Sequence, residues 1–320
     1  MANGVLILAE IVDGAVAPVT LELIGAAQRL NAGPVSAMVI GSGVESAASQ
    51  IMGVEKVYVV DDAALAEYTN DGFTHAAEAV AKQADPAVIL LGQTSEGRDL
   101  GPALAYRLGT AVAMDTVALE MKDGKLHTTR PAYGGNARAV NSFTQTPAIA
   151  TVRPKSQDAA AGGSAGEIVK VPFEASGIRT KVIAKNVATS EGVRLEDAAV
   201  VVSGGRGLGG PENFAGIEEL AHLLGGAVGA SRAVADLGWR PVSEQVGLTG
   251  KVVSPMLYIA VAISGASQHM AGCSGSKNIV AINKDADANI FKASRFGIVG
   301  DFKTVLPAVI AAVKKVKAEG

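Results

Sequence analysis

The sequence is poor in cysteine and histidine, which limits the side-chain chemistry open to it. Cys273 is the only cysteine, so no disulfide can form within the chain and no thiolate zinc site can be completed. The four histidines, at positions 75, 127, 222 and 269, show no metal-ligand spacing. We therefore expect no metal site, and we interpret Cys273 as a small buried apolar residue.

Strong charge and long hydrophobic runs are missing as well. The net charge is −3, and no cluster of lysine or arginine is interleaved with aromatics, which make up only 4% of the chain. This balance argues against a nucleic-acid partner. The apolar runs are too short to span a bilayer, and the first of them follows no basic segment. We expect a cytoplasmic protein with no direct membrane insertion.

Small aliphatic residues and glycine are abundant, and they occur in alternating strand-like and helical segments. Hydrophobic residues make up 48% of the 320 positions, which is enough for two domains with a core each. The alternation predicts parallel β-α-β units and hence an α/β fold class. We predict an N-terminal α/β domain at 1–190 and a doubly wound domain at 191–320.

One part of the first domain departs from this alternation. Between Thr116 and Val152 the hydrophobic period is two, and the sequence KDGK at 122–125 predicts a hairpin turn. These residues are predicted to form antiparallel strands attached to the parallel sheet. The segment 155–167, KSQDAAAGGSAGE, is small and polar and predicts a mobile loop.

The second domain opens with a glycine-dense loop between a strand and a helix. Residues 201–214 read VVSGGRGLGGPENF, in which Gly205, Gly207 and Gly210 match the G-x-G-x-x-G spacing. Glycines without Cβ atoms let the backbone approach a pyrophosphate, and Pro211 suits the first turn of the following helix. The loop therefore predicts a nucleotide-phosphate site.

Other polar residues of this domain follow its predicted strands, where open α/β sheets bind ligands. Arg232 ends the second strand, where a dehydrogenase binding NAD would carry an acidic residue. An NADP-dependent reductase is one interpretation, because arginine suits a 2′-phosphate. The sequence shows no hydride-transfer constellation after that strand, and a nucleotide-binding regulatory module is a further alternative.

Several separate motifs of this domain resemble the alpha subunit of electron transfer flavoproteins. They are GASRAVADLGW, QVGLTGKVVSPMLYIAVAISGASQHMAG, IVAINKD and IFKASRFGIVGD, which together span most of residues 195–320, with looser matches at LAEI, RPAYGGN and TVRP. The resemblance implies that the C-terminal domain binds FAD and that the N-terminal domain serves subunit assembly in a heterodimer with a beta subunit.

The resemblance also implies an electron carrier without catalytic residues. Such a protein takes electrons from flavoprotein dehydrogenases, including acyl-CoA dehydrogenases of fatty acid beta-oxidation, and delivers them to a quinone oxidoreductase. An electron-bifurcating version that uses NADH, with a second FAD or AMP largely in the beta subunit, stays open on the sequence.

Carried over motif by motif, the resemblance implies a set of FAD contacts. Arg206 would contact the phosphates, His269 the O2 side of the flavin, and Thr249 the region of N5. Leu248 departs from the glutamine expected in QVGQTG, which puts a polar contact there in doubt. The full implied set is Arg206, Ser231, Arg232, Gln245, Val246, Gly247, Thr249, Gly250, Ser264, Gly265, Ala266, Ser267, Gln268, His269, Asn283 and Asp301, the last two at the adenosine end.

Arg232 has an electrostatic role in this interpretation. Reduction adds negative charge to the pyrimidine side of a flavin, so a nearby cation stabilises the reduced form. A unit charge about 4 Å away at an effective dielectric of about 20 contributes roughly 4 kcal/mol, on the order of 170 mV per electron before solvent screening. We expect Arg232 to raise the flavin potential, and His269 to do so only if it is protonated.

Overall fold

The computed structural model of the protein describes residues 3–135, 137–185 and 193–319. Strands and helices alternate along most of these residues, as the sequence predicts for an α/β fold. Among the helices in the described ranges, none combines the length and the apolar character needed to cross a bilayer.

The chain forms two compact units. Unit 1 comprises residues 1–132 and 138–186, and unit 2 comprises residues 133–137 and 187–320. The boundary predicted at residue 190 falls between 186 and 192, outside the described residues. The short insertion 133–137 is noteworthy because it belongs to unit 2 while the residues on either side of it belong to unit 1.

A parallel sheet forms the centre of unit 1. The strands of the region are β1 (Val5–Ala9), β2 (Ile11–Val12), β3 (Ala15–Val16), β4 (Val35–Gly41), β5 (Lys56–Asp61), β6 (Val88–Gly92), β7 (Val112–Thr116), β8 (Ala118–Lys122), β9 (Lys125–Ala132), β10 (Ala137–Ser142), β11 (Ala148–Val152) and β12 (Glu167–Lys170). The sheet has the order β12-β5-β4-β1-β6-β11-β7. Every neighbouring pair in this order is parallel, which confirms the predicted α/β domain.

Helices cover both faces of this sheet, so its central strands are apolar throughout. In β1 every residue is buried; Val5 and Ile7 contribute to the core on one face, and Leu6 and Leu8 contribute to the core on the other. Continuous apolar strands are typical of parallel sheets for this reason. The helices are α1 (Pro18–Leu30), α2 (Glu45–Ala48), α3 (Asn70–Ala84) and α4 (Ser95–Arg107).

The predicted hairpin is present, but its strands do not extend the parallel sheet. Strands β8 and β9 are antiparallel and are joined through Asp123 and Gly124, which have φ values of 51° and 72°, as a type I′ turn requires. Together with β10 they form a separate three-stranded sheet. Strands β7 and β11, at the two ends of this stretch, are instead parallel strands of the main sheet, and β11 is buried along its whole length.

The segment 155–167, expected to be a mobile loop, is held against α1. The N–H of Ala160 donates to the carbonyl oxygen of Leu21 at 2.9 Å. A Cβ atom on Gly25 would lie only 2.4 Å from the carbonyl oxygen of Asp158. The small side chains of the segment therefore have a structural use, because they let its backbone pass close over the helix.

Unit 2 contains a five-stranded parallel sheet in the order β14-β13-β15-β16-β17. Helices pack on both faces, which confirms the predicted doubly wound domain. The strands are β13 (Val200–Gly204), β14 (Ala227–Ala230), β15 (Leu257–Val261), β16 (Ile279–Asn283) and β17 (Phe296–Val299), and the helices are α5 (Ala215–Leu223), α6 (Arg232–Asp236), α7 (Ser267–Cys273), α8 (Ile290–Ala293) and α9 (Phe302–Glu319).

The strand order of unit 2 reverses its direction at one position in the sheet. The chain moves outward from β13 to β14 in one direction, and then returns to build β15, β16 and β17 in the other. The carboxyl ends of β13 and β15 lie at this reversal, and in open α/β sheets that is where ligands bind. The insertion 133–137 packs in the same unit, where its turn Tyr133–Gly135 contacts α7.

The packing of segment 155–167 over α1 gives a first testable prediction. Gly25→Ala should lower the free energy of unfolding by about 1–3 kcal/mol, although alanine is the better helix former, because the backbone at Asp158 must move away. Tryptic cleavage after Lys155 should become faster in this variant.

The matched control is Gly216→Ala in α5. There the added Cβ would meet only the end of the Leu306 side chain, at 2.9 Å, and that side chain can shift. Urea unfolding that shows equal losses for the two variants, or an unchanged rate of cleavage after Lys155, would contradict the proposed packing role of Gly25.

Candidate functional site

Two backbone loops meet at the carboxyl ends of β13 and β15. The N–H of Gly205 donates to the carbonyl oxygen of Val261 at 2.9 Å, and a Cβ atom on Gly205 would lie 2.1 Å from the carbonyl oxygen of Ala262. Gly207 is similarly close, with 2.9 Å between its hypothetical Cβ and the same oxygen. These two glycines are therefore required by contact between the loops, whether or not a phosphate is bound.

Ala262 itself has an unusual backbone conformation at this contact. Its φ is 55°, in the left-handed region that alanine rarely adopts. Such strained residues persist only where the surrounding structure holds them, and they cluster at functional sites. The strain at the end of β15 is thus an independent indication that this edge of the sheet is the functional one.

The glycine loop after β13 folds more tightly than a simple phosphate cradle. The N–H groups of Leu208 and Gly209 donate to the carbonyl oxygens of Gly205 and Arg206, at 3.0 and 3.1 Å. Arg206 begins this turn and is exposed, and its side chain makes no hydrogen bond or ion pair with the described residues. The loop therefore leaves the Arg206 side chain exposed, while the N–H groups of Leu208 and Gly209 already have hydrogen-bond partners within the loop.

The loop 245–250 is fastened to its neighbours on two sides. The N–H of Val246 donates to the carbonyl oxygen of Ala230 at 2.9 Å, and the N–H of Leu248 donates to that of Gln268 at 2.7 Å. The Gln245 amide donates to the Thr249 hydroxyl at 3.0 Å. These bonds join the second strand, this loop and α7, so that several residues implied by the resemblance share one edge.

Gly247 permits the close approach of this loop to α7. Its φ is 145°, and a Cβ atom there would lie 3.0 Å from the carbonyl oxygen of Gln268. From the other side, a Cβ atom on Gly272 would lie 2.3 Å from the nitrogen of Gly247. Leu248, at the tip of the loop, has 67% of its surface exposed.

His269 in α7 is buried and electrically neutral. Its Nε2 lies 2.9 Å from the hydroxyl of Tyr258, and burial lowers the pKa of the imidazole to about 4, with a smaller opposing effect from the backbone of Val246. The hypothesis of a protonated His269 is therefore not supported near neutral pH. Its Nδ1 has no partner with hydrogen-bond geometry among the described residues, which leaves one buried polar atom to be satisfied.

Ser231 and Arg232 lie where the second strand ends and α6 begins. The N–H of Ser231 donates to the carbonyl oxygen of Gly204 at 3.1 Å, which places it beside the end of β13. Arg232 forms an ion pair with Asp236, with 3.4 Å between Nε and Oδ2, and the two side chains are 66% and 63% exposed. A pair this exposed contributes little stability, but Asp236 offsets part of the positive charge.

Asn283 and Asp301 have structural partners in addition to any ligand. The Asn283 amide donates to the carbonyl oxygen of Ile263 at 2.9 Å, and its oxygen accepts from the N–H of Asp285 at 3.0 Å. Asp301 caps α9, since its Oδ1 accepts from the N–H of Lys303 at 2.9 Å. Both residues lie at the same edge of the sheet. Capping a helix is the structural role that the position of Asp301 directly before α9 suggests, as an alternative to binding a ligand.

The loop after β15 is held from the direction of α8. The N–H of Ile290 donates to the carbonyl oxygen of Ser264 at 3.0 Å, and Gly265 has a φ of 80° with no room for a Cβ beside Ile290. Ala266, Ser267 and Gln268 follow and are exposed. All sixteen residues implied by the resemblance thus lie at or just beyond the carboxyl ends of the strands of unit 2.

Three residues of this edge were missed from the sequence. Tyr258 could have been noticed as the one polar group in the apolar strand LYIAV, and Asp236 by its position four residues after Arg232 on the same helix. Nothing in the local sequence signals the left-handed conformation of Ala262.

The described residues fit a flavin nucleotide. The unsatisfied Nδ1 of His269 can meet a polar ring atom, Arg206 can meet a phosphate, and the exposed segment 266–268 precedes His269 directly. A buried neutral imidazole and backbone groups suit a ring that must remain partly apolar, whereas the exposed arginines suit the anionic portion.

Two family models match the chain, one in each unit. The model for the electron transfer flavoprotein domain matches residues 5–176, and the model for the electron transfer flavoprotein FAD-binding domain matches residues 194–274. The second match begins before β13 and includes the glycine loop, the loop 245–250 and α7. It therefore supports a flavin as the ligand of this edge.

Similar proteins match over nearly their whole length. An electron transfer flavoprotein subunit alpha of Thermoanaerobacterium thermosaccharolyticum is 44% identical, with 97% of this chain and 98% of the relative covered. Those of Bacillus subtilis and Paracoccus denitrificans are 39% and 41% identical, with 98% and 95% of this chain and 98% and 97% of the relatives covered.

These matches decide between the interpretations left open by the glycine loop. The matched families and the named relatives give no support to an NADP-dependent reductase, the interpretation in which Arg232 would meet a 2′-phosphate. The arrangement at the carboxyl ends of β13 and β15 and the matches in both units lead to one conclusion: the chain belongs to the alpha subunits of the electron transfer flavoproteins.

Proposed function

We propose that this chain binds FAD in unit 2 and carries electrons as the alpha half of a heterodimer with a beta subunit. In this role it accepts electrons from flavoprotein dehydrogenases, such as the acyl-CoA dehydrogenases of fatty acid beta-oxidation, and passes them to a quinone oxidoreductase. We further propose that 191–320 is the FAD-binding domain, that 1–190 serves subunit assembly, and that the complex works in the cytoplasm.

One observation carries the proposal: the implied contact residues converge at the switch point of unit 2. They come from loops that are far apart in sequence, and backbone hydrogen bonds join these loops to each other. The bond from Val246 to Ala230 and the bond from Leu248 to Gln268 are the clearest examples. Convergence at the position where such sheets bind ligands is what a cofactor site requires.

A bound flavin would supply the ability to take up and return electrons one or two at a time. The chain would hold it through Arg206 at the phosphates and through Ser231, Arg232, Gln245, Val246, Gly247, Thr249, Gly250 and His269 around the ring. The remaining contacts would come from Ser264, Gly265, Ala266, Ser267 and Gln268, and from Asn283 and Asp301 at the adenosine end.

The ionisable groups of this edge suit a carrier better than a hydrolytic or proton-abstracting enzyme. Acid-base catalysis near neutral pH needs a group whose pKa lies near the working pH. His269 has a pKa of about 4 and stays neutral, and Cys273 is buried with a pKa raised to about 12. His269 is therefore a weak base and Cys273 stays a protonated thiol, whereas a neutral imidazole can donate a fixed hydrogen bond.

The proposal predicts the behaviour of the purified complex. Co-expressed with its beta subunit, the chain should co-purify as a yellow complex that releases FAD on denaturation. A reduced acyl-CoA dehydrogenase should reduce this flavin, and a quinone oxidoreductase should reoxidise it. Absorbance of the flavin measures each step, and a complex without flavin would contradict the proposal.

Two further outcomes of that experiment separate the alternatives. Reduction of two flavins by NADH, coupled to two acceptors, would show the bifurcating version. Direct turnover of a small substrate with NADPH by the isolated chain would contradict the carrier role.

Arg206 provides a residue-level test of FAD binding. Arg206→Ala should weaken FAD retention about tenfold, because a hydrogen bond to a charged phosphate oxygen is lost. Equilibrium dialysis of the complex against FAD-free buffer measures the retention. The control is Arg194→Ala, because Arg194 is paired with Asp197 at 2.6 Å and precedes β13, at the opposite end of that strand. Full retention in Arg206→Ala would place the phosphates elsewhere.

Removing one or the other partner of the ion pair in α6 should shift the flavin midpoint potential in opposite directions. Arg232→Ala should lower the flavin midpoint potential, because a cation that stabilises the reduced ring is removed. Asp236→Asn should raise it, because the arginine is no longer partly neutralised. Both shifts should be well below the unscreened figure of about 170 mV, since both side chains are largely exposed.

Spectroelectrochemical titration of the complex measures both potentials. The two shifts should shrink as salt is added, because exposed charges are screened. Shifts of the same sign, or no shift in either variant, would show that Arg232 does not act on the flavin by its charge.

A further inference from the structure

The polar group that contacts His269 from inside the core is the hydroxyl of Tyr258. Tyr258 lies in the middle strand β15 and is fully buried, and its hydroxyl oxygen is 2.9 Å from Nε2 of His269. The two rings are 6.1 Å apart and inclined at 55°, so they meet through the hydrogen bond and are not stacked. The contact lies below the edge of the sheet at which the flavin site is proposed.

The direction of this hydrogen bond follows from its surroundings. Burial raises the pKa of the Tyr258 hydroxyl well above its usual value, so the phenol keeps its proton and needs an acceptor. Its polar neighbours are the imidazole of His269, the hydroxyl of Ser203 and the thiol of Cys273. A neutral imidazole nitrogen accepts better than a hydroxyl, and sulfur is a weak acceptor. The phenol therefore donates to Nε2.

The other side of the imidazole supports the same direction. The N–H of Val246 is already used, since it donates to Ala230, so the polar group that Val246 can offer to the ring is its carbonyl oxygen. A carbonyl oxygen can accept a hydrogen bond from a ring N–H group, but it repels a ring nitrogen that carries a lone pair. No described residue meets hydrogen-bond geometry with Nδ1, which is buried. Nδ1 of His269 therefore carries the proton and acts as a hydrogen-bond donor, not as an acceptor.

We propose that Tyr258 is a positioning residue for the flavin site: its hydroxyl donates to Nε2 of His269 and so keeps the imidazole proton on Nδ1. Which nitrogen of a histidine carries the proton is set by the hydrogen bond that the other nitrogen makes. The proposal rests on the proposed function, since it assigns the Nδ1–H group to an acceptor atom of the flavin. It adds a buried residue that touches no ligand but decides what His269 presents.

The tautomer can be measured directly in the purified complex with the beta subunit. The chain has only four histidines, so selective ¹⁵N labelling of histidine gives few signals, and His269→Gln identifies the one that belongs to His269. The wild-type ring should show a protonated Nδ1 and an unprotonated Nε2. A proton on Nε2 would overturn the proposal without any tyrosine variant.

Tyr258→Phe removes the donor with little change in volume. In this variant the imidazole should shift toward the tautomer with its proton on Nε2, and the flavin midpoint potential should fall, because the ring loses a fixed donor to its reduced form. Tyr58→Phe, a buried tyrosine in the sheet of unit 1, is the matched control and should change neither. Ser203→Ala tests whether loss of a neighbouring hydroxyl alone has an effect, and none is expected.

The outcomes separate this proposal from the proposed function. An unchanged tautomer in Tyr258→Phe, or a switched tautomer with an unchanged potential, would overturn the positioning role. The tautomer of His269 can be read whether or not flavin is bound. A complex that holds no flavin but shows the expected tautomer change would therefore contradict the proposed function and leave the Tyr258–His269 hydrogen bond established.

Discussion

The close approach of two backbone loops at the carboxyl ends of β13 and β15 is the contact on which the proposed flavin site depends. With 2.1 Å between a hypothetical Cβ of Gly205 and the carbonyl oxygen of Ala262, only glycine can occupy that position. The contact lies beside Ala262, whose backbone is in the left-handed conformation. Arg206, which follows Gly205 directly, owes its exposed position to the same turn. The glycines of this loop are thus needed for the packing of the two loops, and the ligand site follows from that packing.

The site divides electrostatically into an inner part and an outer part. The inner part contains His269 and Tyr258, which burial keeps neutral and which are joined by a hydrogen bond. The outer part contains Arg206 and Arg232, whose charges are exposed and therefore screened by solvent and by Asp236. With a neutral interior of fixed hydrogen-bond donors, the midpoint potential of the flavin ring would depend mainly on geometry. With a charged rim that responds to salt, the approach of anionic ligand groups would depend mainly on charge.

Much of the fold follows from the sequence, because the alternation of apolar strands and amphipathic helices is local. The hairpin at Asp123–Gly124 was predictable for the same reason. The membership of β11 in the parallel sheet could not be predicted in this way. This strand is buried on both faces, and that burial depends on helices distant in the sequence. In the site, the motif residues lie at one edge of the sheet of unit 2, but the bond between His269 and Tyr258 of β15 and the bond from Asn283 to Ile263 join residues that local sequence does not connect. The packing of segment 155–167 depends on Gly25 in a helix far away along the chain, so its composition alone suggested a loop without contacts.

The turn Tyr133–Gly135 adds a constraint on how this protein is made and divided. It belongs to unit 2, where it contacts α7, although it is synthesised within the sequence of unit 1. During translation it emerges long before its packing partner exists, so unit 2 cannot be completed from C-terminal residues alone. A fragment cut between 186 and 193 would contain every strand of the flavin domain and still lack one of its contacts. The two units are therefore distinct in packing but interleaved in sequence, and a gene fusion or exchange near residue 190 would separate unit 2 from one of its own parts.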